Sequence, residues 1–347
     1  MTTKKLSMAT QVFTLILAFT LIASTSAGAR AAERELIPMG CTIGIQMQTA
    51  GVIVVGLSDV ITQDGAVSPA GEAGLLPGDI VKKLGGTDIG SAAAFIAETE
   101  KLKDADISIS IDRMGVTMQF TARPRLSVDG SYKLGLWLRD SVSGIGTVTF
   151  LDPQSGLYGA LGHAISDIDT GVLLPLSEGS ILDSEIIDVR PGSAGSPGEL
   201  CGRFDPQITL GTIEKNTPQG IFGIMETNAA EGRAISIARD DEIKTGGATI
   251  LANVRGREVR EFDIAITRVC QSAENTRNLM LTITDPDLIA ITGGIVQGMS
   301  GSPIIQNGKL VGAVTHVLIN DPRSGYGISI GNMLRTADSD TAFGYAT

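Results

Sequence analysis

The amino-acid sequence predicts a mainly β protein with two or three domains, on three grounds. The chain has 347 residues, more than one domain usually contains. Glycine is abundant at 43 residues and aromatic residues make up only 4%, a composition typical of short strands joined by tight turns. Short apolar runs recur in the second half of the chain and indicate a sandwich or barrel. They lie at 145–150, 158–161, 208–213, 248–254, 262–267 and 278–284.

Residues 1–31 have the pattern of an export signal. Lys4 and Lys5 precede an apolar stretch at 12–23, and the small residues Ala27-Gly28-Ala29 provide a cleavage site. The uncharged stretch from residue 6 to residue 29 is also long enough to span a membrane. We therefore expect an exported protein whose signal is either cleaved or retained as an anchor.

Residues 32–125 combine apolar strands with one helix, which predicts a small α+β domain. The run at 51–56 predicts a strand, residues 92–102 predict a helix, and residues 107–122 predict a hairpin. The phrase AGEAGLLPGD at 70–79 resembles the hallmark of PDZ domains.

The resemblance to PDZ domains implies an exposed strand edge that accepts a peptide as an added strand. It places the carboxylate-binding loop at Thr42, Ile43, Gly44 and Ile45, whose consecutive amides would form an anion site. The expected ligand is a peptide C-terminus or an extended segment. The alternative is that these glycines only build turns and that the domain is a spacer.

Residues 126–347 are predicted to form two small β-barrels that pack together with a cleft between them. Ser300 lies in Gly298-Met299-Ser300-Gly301, where glycines allow the backbone amides to approach a ligand closely. Ser300 is therefore the candidate nucleophile, and the amides of Gly298 and Ser300 are the candidate oxyanion hole. The alternative is a glycine-serine turn without chemistry.

The chain after Ser300 excludes the nucleophile elbow of α/β-hydrolases, which requires Gly-x-Ser-x-Gly followed by a helix. Here Ser302 and Pro303 follow, and Asn307-Gly308 between two apolar runs predicts a β-hairpin. Ser300 is thus placed before a hairpin, as the nucleophile is in β-barrel proteases.

The sequence contains two histidines, so a serine nucleophile has two candidates for its general base. His163 lies in a glycine-flanked turn after an apolar strand and well before Ser300, which is the order of chymotrypsin-type proteases. His316 follows Ser300 by 16 residues on a predicted strand, where it would shape the pocket.

Four segments together resemble the stage IV sporulation protein B (SpoIVB) peptidases of endospore-forming bacteria, and they lie at 161–167, 293–305, 313–317 and 320–327. The resemblance implies a PDZ-bearing serine endopeptidase with a chymotrypsin-like double β-barrel, one that also cleaves itself. Such enzymes are exported across the forespore membrane into the space between the two sporulation membranes. There they cleave a membrane-bound inhibitory partner of an intramembrane metalloprotease, and this cleavage leads to activation of sigma factor K.

By this resemblance His163 is the general base, Ser300 is the nucleophile and Asp285 is the acid that orients the imidazole. Asp285 lies only 15 residues before Ser300, inside the second predicted barrel, whereas the acid of chymotrypsin-type enzymes lies well upstream. The alternatives for the acid are Asp287, Asp167 and Asp169.

The composition argues against several other classes of protein. The net charge is -11 and no basic stripe stands out, so nucleic acid is not an expected partner. Cys41, Cys201 and Cys270 lack metal-ligand spacing, and we expect neither a metal nor another cofactor. The second function class left open is a catalytically inactive PDZ-bearing signalling or scaffold protein, and the presence of both His163 and Ser300 favours the enzyme.

Overall fold

The computed structural model describes residues 34–226, 232–270 and 276–339, and the expected export signal at 1–31 lies outside them. The fold is mainly β, as predicted. The strands of the N-terminal part and of the first barrel are β1 (Glu35–Pro38), β2 (Thr42–Leu57), β3 (Val60–Thr62), β4 (Gly65–Val67), β5 (Ile80–Leu84), β6 (Thr87–Asp88), β7 (Ile107–Arg113), β8 (Val116–Ala122), β9 (Arg125–Leu126), β10 (Tyr132–Lys133), β11 (Leu136–Leu151), β12 (Leu157–Ala160), β13 (Leu176–Arg190), β14 (Glu199–Thr212), β15 (Lys215–Thr217) and β16 (Gly220–Ile224).

The remaining elements lie in or beside the second barrel, apart from two helices of the N-terminal part. The strands are β17 (Ile235–Ser236), β18 (Gly246–Arg255), β19 (Glu258–Val269), β20 (Leu279–Ile283), β21 (Pro303–Gln306), β22 (Lys309–Leu318) and β23 (Asp321–Ser329). The helices are α1 (Pro69–Ala73), α2 (Ala92–Leu102), α3 (Pro286–Thr292) and α4 (Ile330–Ala337).

Strands β2 and β11 form one long antiparallel ribbon that passes through two hydrophobic cores. Their pairing runs from Leu57 opposite Leu136 at one end to Thr42 opposite Thr147 at the other. The second half of β2 buries Val52 and Val54 in the core of an N-terminal module, which we define as residues 51–138. The first half of β2 instead contributes to the core of the first barrel.

The N-terminal module is an α+β unit whose antiparallel sheet has the strand order β2-β5-β7-β8. The helix predicted at 92–102 has those bounds as α2, and Phe95 anchors it in the module core. Ser91 caps the helix, because its hydroxyl accepts a 3.1 Å hydrogen bond from the Ala94 amide. Asp79, at the end of the AGEAGLLPGD phrase, is 1% exposed and accepts two hydrogen bonds from the Arg113 guanidinium.

The structure corrects the predicted carboxylate-binding loop. Thr42, Ile43, Gly44 and Ile45 lie inside strand β2, where they are buried. Residues 42–45 pair with β11 on one side, and residues 43–45 also pair with β13 on the other. A strand whose two edges are both paired offers neither a free row of amides nor room for an added peptide. The loop is expected here only from the resemblance to PDZ domains. Gly44 instead lies within the strand, at a point where a Cβ atom would overlap the Phe204 ring.

The same pairing shifts the predicted domain boundary. The residues of β2 up to Thr49 pair with β13 of the first barrel, so the barrel begins before the module rather than after it. The module is therefore an insertion between the two halves of the ribbon, and residues 32–125 do not form a separable unit.

The first barrel curls from β14 through β13, β2, β11 and β12 to β16 and β15. An antiparallel bridge joins Gly211 in β14 to Met225, which directly follows β16, and so brings the two sides of this curl together. The second barrel is closed and has the order β18-β19-β20-β23-β22-β21. A shared core joins the barrels, with Phe150 and Phe222 from the first in contact with Ala313 and Ile328 from the second.

Within residues 34–226, 232–270 and 276–339, no helix has the length and apolar character that a membrane crossing requires.

The ion pair between Asp79 and Arg113 generates a prediction about stability. Removing one partner of a buried pair typically costs 3–5 kcal/mol, and we expect Asp79→Ala to lower the free energy of unfolding by about 3 kcal/mol because Arg113 stays partly exposed. Urea unfolding followed by the fluorescence of Trp137, the single tryptophan of the chain, measures this loss. The control is Asp106→Ala, which removes an exposed pair with Arg123 and should leave the midpoint unchanged.

Candidate active site

Two threonines of strand β11 in the first barrel donate hydrogen bonds to the loop that carries Ser300. Thr147 on β11 donates its hydroxyl to the Gly298 carbonyl at 2.7 Å and its amide to the Ser300 carbonyl at 3.1 Å. Thr149 donates its hydroxyl to the Gly301 carbonyl at 2.8 Å. Gly301 has φ +100°, and a Cβ atom there would overlap the Thr147 carbonyl oxygen, so only glycine fits.

The amides of this loop alternate between bonded and free. The Met299 amide donates to the Val296 carbonyl, and the Gly301 amide donates to the Val314 carbonyl. Among the described residues, the amides of Gly298 and Ser300 have no acceptor. Free amides two residues apart on a glycine-rich loop are the arrangement that an oxyanion hole requires. The oxyanion-hole role of Gly298 and Ser300 stays a prediction, and their free amides are compatible with it.

The two serines of the loop have different surroundings. Ser300 is partly exposed, and its hydroxyl donates to the Thr315 carbonyl at 2.6 Å. Ser302 is 0% exposed, and its hydroxyl has no partner among the described residues. Only Ser300 can reach a substrate.

His163 lies directly after Gly162 in the turn that follows β12, and it is half-buried. Its Nδ1 is 2.8 Å from the Ala164 carbonyl oxygen. A carbonyl can only accept, so Nδ1 carries the proton and Nε2 presents the free lone pair that a general base needs. Burial lowers the pKa of His163 below its usual value, which keeps the imidazole neutral at neutral pH.

His316 is the neighbour of His163, with 5.0 Å between the ring centroids. Burial, followed by the positive charges of His163 and Arg277, lowers the pKa of His316 to about 4. Its Nδ1 is buried and unpartnered among the described residues. His316 also follows Thr315, the acceptor of the Ser300 hydroxyl, so His163 and Ser300 border the same dipeptide.

Asp285 has a different set of contacts from those expected of an orienting acid. Its carboxylate caps helix α3, accepting hydrogen bonds from the Asp287 and Leu288 amides at 2.9 Å each. Its other oxygen faces the Asp263 amide at 3.3 Å. Among the described residues, none of its hydrogen bonds reaches His163. The role of Asp285 as triad acid stays a prediction that these contacts do not support.

The three alternative carboxylates are also engaged elsewhere. Asp167 is buried and ion-paired with Arg139, and Asp169 contacts the same guanidinium at 2.8 Å. Asp287 is exposed and contacts Arg260 at 3.3 Å. In the described part of the chain, therefore, the partner of the His163 Nδ1 is a backbone carbonyl. Sequence patterns contain no signal for that partner, because every residue has a carbonyl.

The described residues contain no cluster of three or more histidine, cysteine or acidic side chains that could hold a metal ion. Cys41, Cys201 and Cys270 are free thiols.

Comparison with known proteins identifies a matching family, and the similar solved structures include two forms of one protease. The family model described as SpoIVB peptidase S55 matches residues 130–334, more than half of the chain. The inactive form of the Rv3671c protease is 13% identical, with a TM-score of 0.31, over 57% of this chain and 85% of its own. The active form, from M. tuberculosis, is 14% identical, with a TM-score of 0.31, over 60% of this chain and 79% of its own. No curated protein matches.

The different burial of the two loop serines predicts opposite effects of removing their hydroxyls. Ser300→Ala should reduce peptide cleavage by roughly 10⁴-fold or more, because the nucleophile is lost. Ser302→Ala should leave cleavage and fluorophosphonate labelling unchanged, since it removes a buried hydroxyl without a partner. Loss of labelling in Ser302→Ala alone would move the nucleophile to Ser302.

Two substitutions separate the cap role of Asp285 from the role of triad acid. Asparagine caps a helix as well as aspartate does, so Asp285→Asn should keep most of the activity, whereas Asp285→Ala should lower the free energy of unfolding by about 1 kcal/mol. Rates of cleavage and thermal unfolding of both variants provide the test. A folded Asp285→Asn protein without activity would restore the carboxylate to the triad.

Proposed function

The chain belongs to the SpoIVB peptidase S55 family and is a serine peptidase of a sporulation family, and from this premise we propose that it cuts a membrane-bound regulatory protein. The target that the resemblance suggests is the inhibitory partner of an intramembrane metalloprotease, whose removal leads to activation of sigma factor K. We also propose that the protein cleaves itself.

One observation carries the catalytic part of this proposal, namely the meeting of His163 and Ser300 at Thr315-His316. The Ser300 hydroxyl donates to the Thr315 carbonyl, and the His163 ring lies beside the His316 ring. Gly162, next to the base, approaches the Thr315 side chain so closely that a Cβ atom there would be 2.8 Å from Thr315 Cγ2. In the proposed reaction the Ser300 hydroxyl rotates away from the Thr315 carbonyl and donates to Nε2 of His163 instead.

The reaction then uses only groups of this chain. His163 Nε2 takes the proton of Ser300 as the hydroxyl oxygen attacks the scissile carbonyl, and the amides of Gly298 and Ser300 donate to the oxyanion. The imidazolium formed at His163 keeps its Nδ1 proton on the Ala164 carbonyl. The imidazolium then gives its Nε2 proton to the leaving amine. In the second half of the reaction, water attacks the acyl-enzyme in the same way, with His163 again as the base.

The location of the substrate is proposed from the N-terminal sequence. The pattern of Lys4, Lys5 and the following apolar stretch is that of an exported protein. We place the enzyme in the space between the two sporulation membranes, either secreted or anchored by residues 1–31.

The N-terminal module is proposed to hold an extended segment or the C-terminus of the substrate. Residues 42–45 are not available for this, as their strand is paired on both sides. A groove of about 410 Å³ lies instead between α2 and the segment from 131 to 138, and Phe95, Ile96 and Trp137 line it. Ile96 and Trp137 are 60% and 64% exposed, so the groove presents apolar surface to a ligand.

Cleavage assays of full-length protein with a membrane-anchored candidate substrate and with a short peptide test the proposal. Wild type should cut both, Ser300→Ala should cut neither, and mass spectrometry should map the same cut site in each. Ile96→Glu should lower cutting of the anchored substrate only, because it charges the groove without touching Ser300. A wild-type protein that neither reacts with fluorophosphonate nor cuts would indicate the inactive scaffold protein, and equal cutting by Ile96→Glu would make the module a spacer.

A further inference from the structure

Asn216 on strand β15 forms side-chain hydrogen bonds with the backbone that orients His163. It is 8% exposed, and its amide group makes three hydrogen bonds. Its Oδ1 accepts from the Ile165 amide at 2.8 Å. Its Nδ2 donates to the Ile165 carbonyl at 2.8 Å and to the Leu174 carbonyl at 2.9 Å. The donors and acceptors fix the orientation of the amide, since an N–H can bond only the oxygen and a carbonyl only the nitrogen.

One peptide unit links Asn216 to the base. The Ile165 N–H and the Ala164 C=O belong to the same planar group, and they point in opposite directions across a trans bond. The N–H donates to Asn216, while the C=O accepts from His163 Nδ1 at 2.8 Å. Hydrogen bonds in such a chain polarise one another, so the contact with Asn216 makes the Ala164 carbonyl a stronger acceptor.

We propose that Asn216 is the positioning residue of the general base, acting through the Ala164–Ile165 peptide. This inference rests on the proposed function. By fixing the plane of that peptide, Asn216 keeps the proton of His163 on Nδ1 and the lone pair on Nε2. During catalysis the same carbonyl stabilises the imidazolium, which is the task that a carboxylate performs in a Ser-His-Asp triad.

A purely structural role would follow from the same contacts. Asn216 also closes the loop from 165 to 174, since it bonds carbonyls at both of its ends. The two roles differ in what happens to the imidazole. A structural clamp affects unfolding alone, whereas a positioning residue also changes the tautomer of His163 and the pH dependence of the reaction.

The matched control is Thr217, the next residue of β15. It is 2% exposed and its hydroxyl donates to the Gly220 carbonyl at 2.9 Å. Among the described residues, none of its hydrogen bonds reaches the 163–174 loop. Thr217→Val removes a buried hydrogen bond at the same place in the fold and leaves the Ala164–Ile165 peptide in position.

Asn216→Ala, Asn216→Ser and Thr217→Val are compared in the full chain by two measurements. The first is the pH dependence of fluorophosphonate labelling at Ser300. The second is ¹⁵N NMR of the imidazole nitrogens in a Ser300→Ala background, where the sequence contributes only two histidines and His316→Gln assigns them. The NMR measurement requires no catalysis.

We expect both Asn216 variants to label about 10- to 100-fold more slowly, by analogy with the loss of outer hydrogen bonds that orient metal-bound imidazoles. The acid limb of the profile should move to lower pH, and the Nε2-protonated tautomer of His163 should become populated. Thr217→Val should change neither. A folded Asn216→Ala protein that keeps the wild-type tautomer and acid limb overturns the proposal. If Asn216→Ala does not fold, Asn216→Ser decides by the same two readouts.

Failure of the proposed function gives a different result. A wild-type protein that does not label at any pH would refute the serine peptidase chemistry, yet the tautomer of His163 would still respond to Asn216→Ala if the positioning contact is correct.

Discussion

The attachment of the Ser300 loop to strand β11 is the interaction on which the rest of the site depends. The loop belongs to the second barrel, while Thr147 and Thr149, which donate to its carbonyls, belong to the first. These groups are buried, so the loss of one donor would leave a carbonyl without a partner in an apolar interface. The attachment fixes the peptides whose carbonyls belong to Gly298 and Ser300. The amides of Gly298 and Ser300 belong to the peptides that alternate with these, and these amides stay free. The nucleophile geometry is therefore a property of the barrel interface and of neither barrel alone.

Strand β11 also connects the site to the N-terminal module without a flexible linker. The strand that holds the Ser300 loop at Thr147 is paired with β2 continuously as far as Leu136, apart from local bulges, and there it forms one wall of the apolar groove. A module on a flexible linker would act by raising the local concentration of a captured segment. A module on a shared ribbon has a fixed direction toward the site. A bound substrate would consequently enter the cleft from one side and at a defined distance from Ser300.

The sequence predicted the individual helices, hairpins and residues of this site better than the strand pairing and hydrogen bonds between them. Helix α2 and the hairpin after Ser300 were predicted because periodicity and an Asn-Gly turn are local signals. The burial of Thr42–Ile45 between two strands was not predictable, because pairing partners some 100 residues away leave no mark on the phrase itself. The resemblance to the SpoIVB peptidases indicates Asp285 as the acid, but the same Asp-Pro pair is also a strong helix-capping signal. The carbonyl on His163 Nδ1 has no sequence signature at all.

A general base that is oriented by a backbone carbonyl requires that no other group close to it carries a positive charge. A neutral carbonyl stabilises an imidazolium less than a carboxylate does, so any additional positive charge close to His163 would suppress proton transfer. His316 is the group in position to do so, with its ring centroid 5.0 Å away. Its pKa of about 4 keeps it neutral at neutral pH. During catalysis the two imidazoles must carry only one positive charge, the proton that His163 takes from Ser300. Burial lowers the pKa values of both histidines, and the Ala164 carbonyl accepts the hydrogen bond of His163 Nδ1. Both features meet this requirement.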